Sequence, residues 1–461
     1  MCLGSSRVAA VVISGLIAVT LLGCAERGGA DEPSAFASTD PTESTSAPTS
    51  TPTSPEPAPS APPTRSVRQG DQLFRVSYSA LRGEGSVQRT AGGYVVASVP
   101  VVGLDRRGRE TWQLQVPRRA EAEVTVDVAL GVVVVTYPIP GQDWPGFTRV
   151  VALDPASGDE LWRDDRASFV SVWDDTVYTT VCLGRQEATL GDCTISARSP
   201  RDGGTRWSLP SYHAAQVSDA GNDWVLVVSY PGSGSPAVVR AVDVMGGSSL
   251  GPHIPIGHSV AAVDGAVLTT GPKDTGSADA CRQRVTATGF DGVVLWQQTY
   301  RPGEDPLDPG ECRSVYVDGG QAGLASVWSY EGVARLVDAT DGRTIWTGRR
   351  GAELALMTSG LVVAVDTRGG FATGASGVDP ATGERLWRAP AEAGNTWELR
   401  GGVVLSTDTN CFDDCHTEAR RPRTGRVVEH YPGLLRAAGP DWLSTVADIN
   451  AELGDYRVFR R

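Results

Sequence analysis

Lysine is almost missing from this sequence. Its 461 residues carry 41 basic side chains, and Lys273 is the only one that is not arginine. Acidic residues outnumber basic ones, giving a net charge of −13. Phosphate backbones are bound by a basic stripe, and none is visible, so a nucleic-acid partner is excluded. An acidic surface of this kind mainly favours solubility. Long amphipathic helical periodicity is absent as well; β-branched runs broken by Gly and Asp dominate, which points to an all-β fold. No two cysteines are adjacent in the chain. The apolar run Val8 to Leu22 is too short and too weakly flanked to span a membrane comfortably.

What the chain does have is a repeat. Ser376 to Arg388 reads SGVDPATGERLWR, Val151 to Arg163 reads VALDPASGDELWR, and Arg335 to Thr347 reads RLVDATDGRTIWT. In each, Asp, Gly and Trp are spaced four and four apart. Looser copies surround Gly108/Trp112, Gly203/Trp207 and Gly292/Trp296, and two more keep Gly247 and Gly425 without the Trp. The eight glycines recur every 41 to 50 residues, a period that belongs to repeat architectures. Asp at the head of a turn bonds its own backbone, and Gly supplies the positive φ that closes a hairpin. The Trp then stands on the outgoing strand as a large apolar plate. Trp112, Trp162, Trp207, Trp296, Trp346 and Trp387 are therefore expected to pack between neighbouring sheets rather than to hold a cofactor.

Each repeat offers four short strands, in the second roughly Glu123–Val128, Val132–Tyr137, Thr148–Leu153 and Glu160–Arg163. That is the pattern of a propeller blade. Gly70 to Arg75 matches the end of a repeat, with Phe74 in place of Trp. Leu434 to Ala438, Trp442 to Ala447 and Asp455 to Arg461 supply three strands without a fourth. Gln72 to Ser77 is thus expected to pair beside the C-terminal strand and close the ring, protecting its edges. Eight full sets and this composite make nine. The set from Ser86 to Val116 has a very short second hairpin, so eight blades are expected, with nine left open.

Met1 to Gly23 reads as an export signal, with Arg7 before the apolar run. It ends in Leu21-Leu22-Gly23-Cys24, which resembles the lipobox of bacterial lipoproteins. The resemblance implies cleavage before Cys24, a diacylglyceryl group on its sulfur and acylation (palmitate) of the new terminus. Residues 24–68 are Ser, Thr and Pro with hardly any large apolar side chain, a composition that stays extended as a tether. Residues 69–461 form the folded part. The arginine-for-lysine bias points to a GC-rich genome of the kind found in actinobacteria.

The segments VDPATGERLW and LDPASGDELW resemble the repeat of pyrroloquinoline-quinone (PQQ)-like β-propellers, in which Asp, Gly and Trp form the blade-docking signature. The resemblance covers nearly the whole folded part. The family includes quinoprotein alcohol dehydrogenases, the lipoprotein of the outer-membrane barrel-assembly machinery and many exported proteins. A dehydrogenase of this family implies a vicinal cysteine pair, a calcium site and a base beside the quinone. The missing cysteine pair argues against PQQ, and no cofactor is expected.

Six cysteines remain once Cys2 leaves with the signal and Cys24 is lipidated. In an exported protein they are expected as disulfides. Cys182 and Cys193 flank one inter-strand loop, Cys411 and Cys415 flank the corresponding loop five blades on, and Cys281 and Cys312 remain as a pair. A bridge across the last span stabilises by roughly 3–4 kcal/mol on loop entropy. Cys411-x-x-x-Cys415-His416 is one residue too long for haem attachment. Zinc lacks a second evident ligand pair. Glu304, Asp305, Asp308 and Glu311 form an acidic stretch, as do Asp408, Asp413 and Asp414, but neither has the spacing of a calcium loop. His213, His253, His258 and His430 occur singly. No metal site and no catalytic residue is expected. The reading is a monomeric, membrane-anchored propeller on the extracytoplasmic face, presented to an envelope protein or glycan; a quinoprotein dehydrogenase or a polysaccharide-active enzyme is the alternative.

Overall fold

The repeated turn closes as its residues dictate. Oδ1 of Asp154 accepts the backbone N–H of Ala156 at 2.9 Å and of Ser157 at 3.0 Å. Gly158 donates its N–H to the Asp154 carbonyl at 2.8 Å and has φ +76°, a conformation that strains any residue with a Cβ. The same five-residue bond closes the turns at Gly203, Gly247, Gly342, Gly383 and Gly425. Gly108 and Gly292 close shorter turns, bonding to Asp105 and Gly289 three residues back. The N–H groups of Ser157 and Ala156 also hold the Asp154 carboxyl below the usual carboxylate range.

The computed structural model describes residues 65–66, 72–79 and, with intervals omitted, 87–461; among the omitted intervals are 183–192, 303–311 and 408–414. The chain divides into two units, Met1–Pro63 and Thr64–Arg461. The first lies wholly outside the described residues, so the segment read as an export signal, Cys24 and most of the stretch read as a tether do too.

The second unit is all β. Nine sheets of four antiparallel strands follow one another in sequence order as the blades of a propeller. In the second blade the strands are Thr125–Ala129, Val132–Pro138, Thr148–Leu153 and Glu160–Ala167, within two residues of expectation at all but one boundary. Each blade touches the next, and Val87–Arg89 of the first blade touches Leu434–Ala438 of the ninth, completing the ring. The ninth blade takes Gln72–Ser79 as its outer strand, antiparallel to Leu453–Arg460 with Val76 opposite Tyr456. Chain ends therefore meet as expected. The ring has nine blades, the count left open beside the expected eight. The set judged too short for a blade forms one, because Gly93–Val96 and Val101–Asp105 pair fully despite their length.

Tryptophan explains how blades stack. The Trp112 indole N–H donates to the carbonyl of Pro155 in the next blade at 2.9 Å. Trp162 donates to Pro200, Trp207 to Val244 and Trp296 to Ala339 at 2.7 Å each, and Trp387 to Pro422 at 2.6 Å. Each of these rings lies against the turn glycine of that next blade, Gly158, Gly203, Gly247, Gly342 and Gly425 respectively. Phe74 does the same to Gly108 across the closure. The residue paired with each indole on its own sheet is small: Gly103, Ala152, Ala197, Ala287 and Gly377. Trp346 is the exception. Its cross-strand partner is the buried Leu336, which occupies the space the ring would need, and among the described residues the indole sits over Gly348 instead.

Two disulfides form as expected, Cys182–Cys193 and Cys281–Cys312. Cys182 and Cys193 are directly paired across adjacent strands. Cys415 is also disulfide-bonded, and Cys411 lies outside the described residues. Arg65–Ser66, from the end of the stretch read as tether, runs parallel to Val427–Pro432 and gives the eighth blade a fifth strand.

Candidate functional site

Three features of the ring bring together side chains able to do chemistry. The first is the set of inner strands. Asp127, Asp318, Glu353 and Glu398 stand on the first strands of the second, sixth, seventh and eighth blades. Burial pushes the Asp127 carboxyl up to about 6, opposed only by a hydrogen bond from Gln88. Asp318 is raised by burial and partly restored by Trp328 and Ser326, whose indole N–H and hydroxyl donate to it at 2.5 and 3.1 Å. Burial raises Glu353 too, and the charge of nearby Asp318 adds to the shift. Glu398 is raised by burial against the pull of Arg400 at 3.5 Å.

The second feature is a cavity of about 350 Å³ between the fifth and sixth blades. Arg301, Arg313, Arg335 and Arg350 line it together with Tyr300 and Trp328. The Arg335 guanidinium lies 5.1 Å from the centre of the Tyr300 ring, a cation–π distance. Trp328 is stacked on Tyr316 at 4.7 Å. Four guanidinium groups make this a locally positive place on an acidic protein. The acidic stretch with Glu304, Asp305, Asp308 and Glu311, adjacent in sequence, lies outside the described residues.

The third is a cluster on the eighth blade. His416 and Glu418 lie two apart on His416–Arg420, so they share a face, and Glu418 pairs directly with His430 on Val427–Pro432. His416 Nε2 is 3.8 Å from Glu418 Oε1, and His430 Nδ1 is 3.6 Å from the same oxygen. The two imidazole centres are 5.7 Å apart. Arg420 holds the other oxygen of Glu418, and its guanidinium also donates to the Gly425 carbonyl at 3.0 Å. One coordinating atom from each of the three residues lies within 4.8 Å of the others.

The sequence treats His416 as the residue after a disulfide cysteine and His430 as solitary, and it passes over Glu418. Strand register is what joins them. The signal available in sequence is a His-x-Glu on one strand with a His twelve residues later on its antiparallel neighbour. His213 and His258 lie outside the described residues, as does the side chain of His253. Asp408, Asp413 and Asp414 also lie outside them.

Pyrroloquinoline quinone does not fit the residues present. The chain has no vicinal cysteines, and five of the six repeat tryptophans spend their indole N–H on the following blade. No step through that group follows from these side chains.

No protein-family model matches the sequence, and no curated protein does. Solved structures do. BamB from Moraxella catarrhalis is 14% identical, with 76% of this chain and 94% of that one covered at a TM-score of 0.40. The quinohemoprotein alcohol dehydrogenase ADHIIG from Pseudomonas putida HK5 is 12% identical, with 72% and 74% covered at 0.39. A eukaryotic initiation factor is 13% identical, with 81% and 91% covered at 0.48. These likenesses extend no further than the architecture already described.

Proposed function

We propose that this chain is an exported, lipid-anchored propeller that serves as a non-catalytic platform for a protein partner. One observation carries the reading. Of the large apolar side chains most exposed among the described residues, four lie at or just after the turn before the outer strand of two adjacent blades: Met245 in the fourth, and Val293, Val294 and Leu295 in the fifth, the last two opening the strand Val294–Tyr300. Met245 is 67% exposed and Val293 58%. Three consecutive exposed aliphatic residues, with a fourth at the corresponding turn of the adjacent blade, mark a place where another protein is bound, since scattered single residues would need no account. Aliphatic side chains suit a protein surface better than a glycan, which aromatic plates and hydrogen-bonding groups would serve. Five of the six repeat tryptophans are occupied in docking the next blade. The lipidated Cys24 and the Ser/Thr/Pro tether belong to the same reading, since they would hold the ring at the membrane and let it reach outward.

The test is photo-crosslinking in intact cells, with a photoreactive residue in place of Val294. The expected result is one adduct of discrete mass that disappears when Met245→Asp and Leu295→Asp are added. An adduct unaffected by those changes would refute the platform. Cys24→Ala is expected to abolish fatty-acid labelling and release the protein to the medium; unchanged membrane retention would remove the anchor from the reading.

A further inference from the structure

We infer that His416, Glu418 and His430 form a binding site for a divalent transition-metal ion, with Zn²⁺ the ion their chemistry favours. The separations carry the argument. At 3.6 and 3.8 Å, neither imidazole nitrogen is within hydrogen-bond range of Glu418 Oε1. Two donors on a tetrahedral ion at about 2.0–2.1 Å stand about 3.3 Å apart. Glu418 Oε1 already stands within a few tenths of an ångström of that spacing from each ring nitrogen, and the two half-exposed imidazoles, whose coordinating atoms lie within 4.8 Å, have room to turn inward and complete a coordination shell.

The donor set is two imidazole nitrogens and one carboxylate oxygen. That composition suits zinc and its first-row neighbours and is poor for calcium or magnesium, which take oxygen shells. Three protein ligands leave a position open. The His416 and His430 side chains are 43% and 39% exposed, so the open position faces solvent and takes water or a donor from another molecule.

The cluster is also held in place. Glu418 is only 12% exposed, and Arg420 grips Oε2, which turns Oε1 toward both rings. Support of a ligand by a fixed partner of this kind is what metal sites require. Arg420 is itself fixed on the carbonyl of Gly425, the turn glycine under Trp387. The backbone before His416 is tied by the disulfide at Cys415, and the Thr407 hydroxyl donates to the His416 carbonyl at 3.2 Å. On its far side the strand carrying His430 is backed by Arg65–Ser66, with Ser66 opposite His430. The Arg420 charge opposes a cation nearby, so the expected affinity is moderate rather than that of a structural zinc site.

The experiment uses the full chain in detergent, without a histidine tag. Co²⁺ is titrated and followed by its visible absorption, and Zn²⁺ is then added in competition. One Co²⁺ per chain with the absorption of a nitrogen- and oxygen-ligated site is expected, displaced by Zn²⁺ and not by equal Ca²⁺. His430→Ala and His416→Ala are each expected to weaken binding at least about tenfold, and Glu418→Gln similarly. Thermal melts without metal verify folding, and the two half-exposed histidines should melt like the parent. Unchanged binding in the His416→Ala/His430→Ala double variant would overturn the site. So would failure of the folded parent to bind Co²⁺ or Zn²⁺, or equal displacement by Ca²⁺.

Discussion

Phe74 lies against Gly108, joining the ninth blade to the first with the contact that tryptophan makes elsewhere in the ring. A Cβ at Gly108 would collide with the Phe74 ring. The same ring meets Tyr94 edge-on at 5.0 Å, and Tyr94 meets Trp442 at 5.7 Å, so one aromatic chain spans the closure.

Chain closure predicts an asymmetry between two truncations. A protein beginning at residue 64 retains Gln72–Ser79 and is expected to melt like the full chain. One beginning at residue 80 loses Phe74 and bares the edge of Leu453–Arg460, and is expected to aggregate or melt well below it. Equal melting temperatures would mean that the ring does not depend on this strand.

Docking and backbone strain separate at two glycines with the same φ of +76°. A Cβ at Gly131 meets nothing within 4 Å, so Gly131→Ala is expected to cost about 1 kcal/mol from the left-handed conformation alone. At Gly158 it would stand 2.6 Å from Cγ of Trp112. Gly158→Ala is expected to cost about 2–4 kcal/mol, as overpacking adds to strain. Urea midpoints measure both, and equal losses would refute the docking role.

The indole bonds predict a further contrast. Trp387→Phe keeps an aromatic plate but removes the donor to Pro422. Trp346→Phe removes no such bond to the next blade among the described residues. The first is expected to destabilise by about 1 kcal/mol more than the second, the net value of a hydrogen bond. Identical denaturation curves would show that ring contact alone docks the blades.

Asp127 makes stability depend on pH. Its carboxyl titrates at about 6 in the folded protein, against about 3.9 in an unfolded chain. Between these values the folded state binds more protons, so this group lowers stability as pH rises from about 4 to about 6. Asp127→Asn keeps a side chain that can accept from Gln88. It is expected to raise stability by about 3 kcal/mol at pH 7.5 and to have little effect below pH 4. A variant no more stable at pH 7.5 than the parent would show that the carboxyl is better solvated than its surroundings imply.

What could be read in the sequence was what local chemistry decides. Asp154, Gly158 and Trp162 announce a turn and an outgoing strand because each acts within four residues of its neighbour. Phe74 and the three C-terminal strands announce closure because one is the complement of the others. The first blade was harder, since Gly93–Val96 is short enough to pass for a connection until it finds its partners. Trp346 looked like its siblings because Leu336, the residue that displaces it, lies ten positions away on the adjacent strand. The His416, Glu418 and His430 cluster was hidden for a similar reason. Its members meet only once the register of two strands is known, and sequence spacing suggested a disulfide neighbour and a lone imidazole.

The route of the chain into the ring also decides how the molecule bears a pull on its N-terminal end. Tension arriving there first meets Arg65–Ser66, a grip of only two residues on the eighth blade. It next reaches Gln72, the near end of an antiparallel ladder that runs to Ser79. Antiparallel rungs loaded from one end open singly, as a zip does, rather than sharing the force. The first large side chain to be drawn out would be Phe74, so the seam where the circle is sewn is also where it would come unstitched.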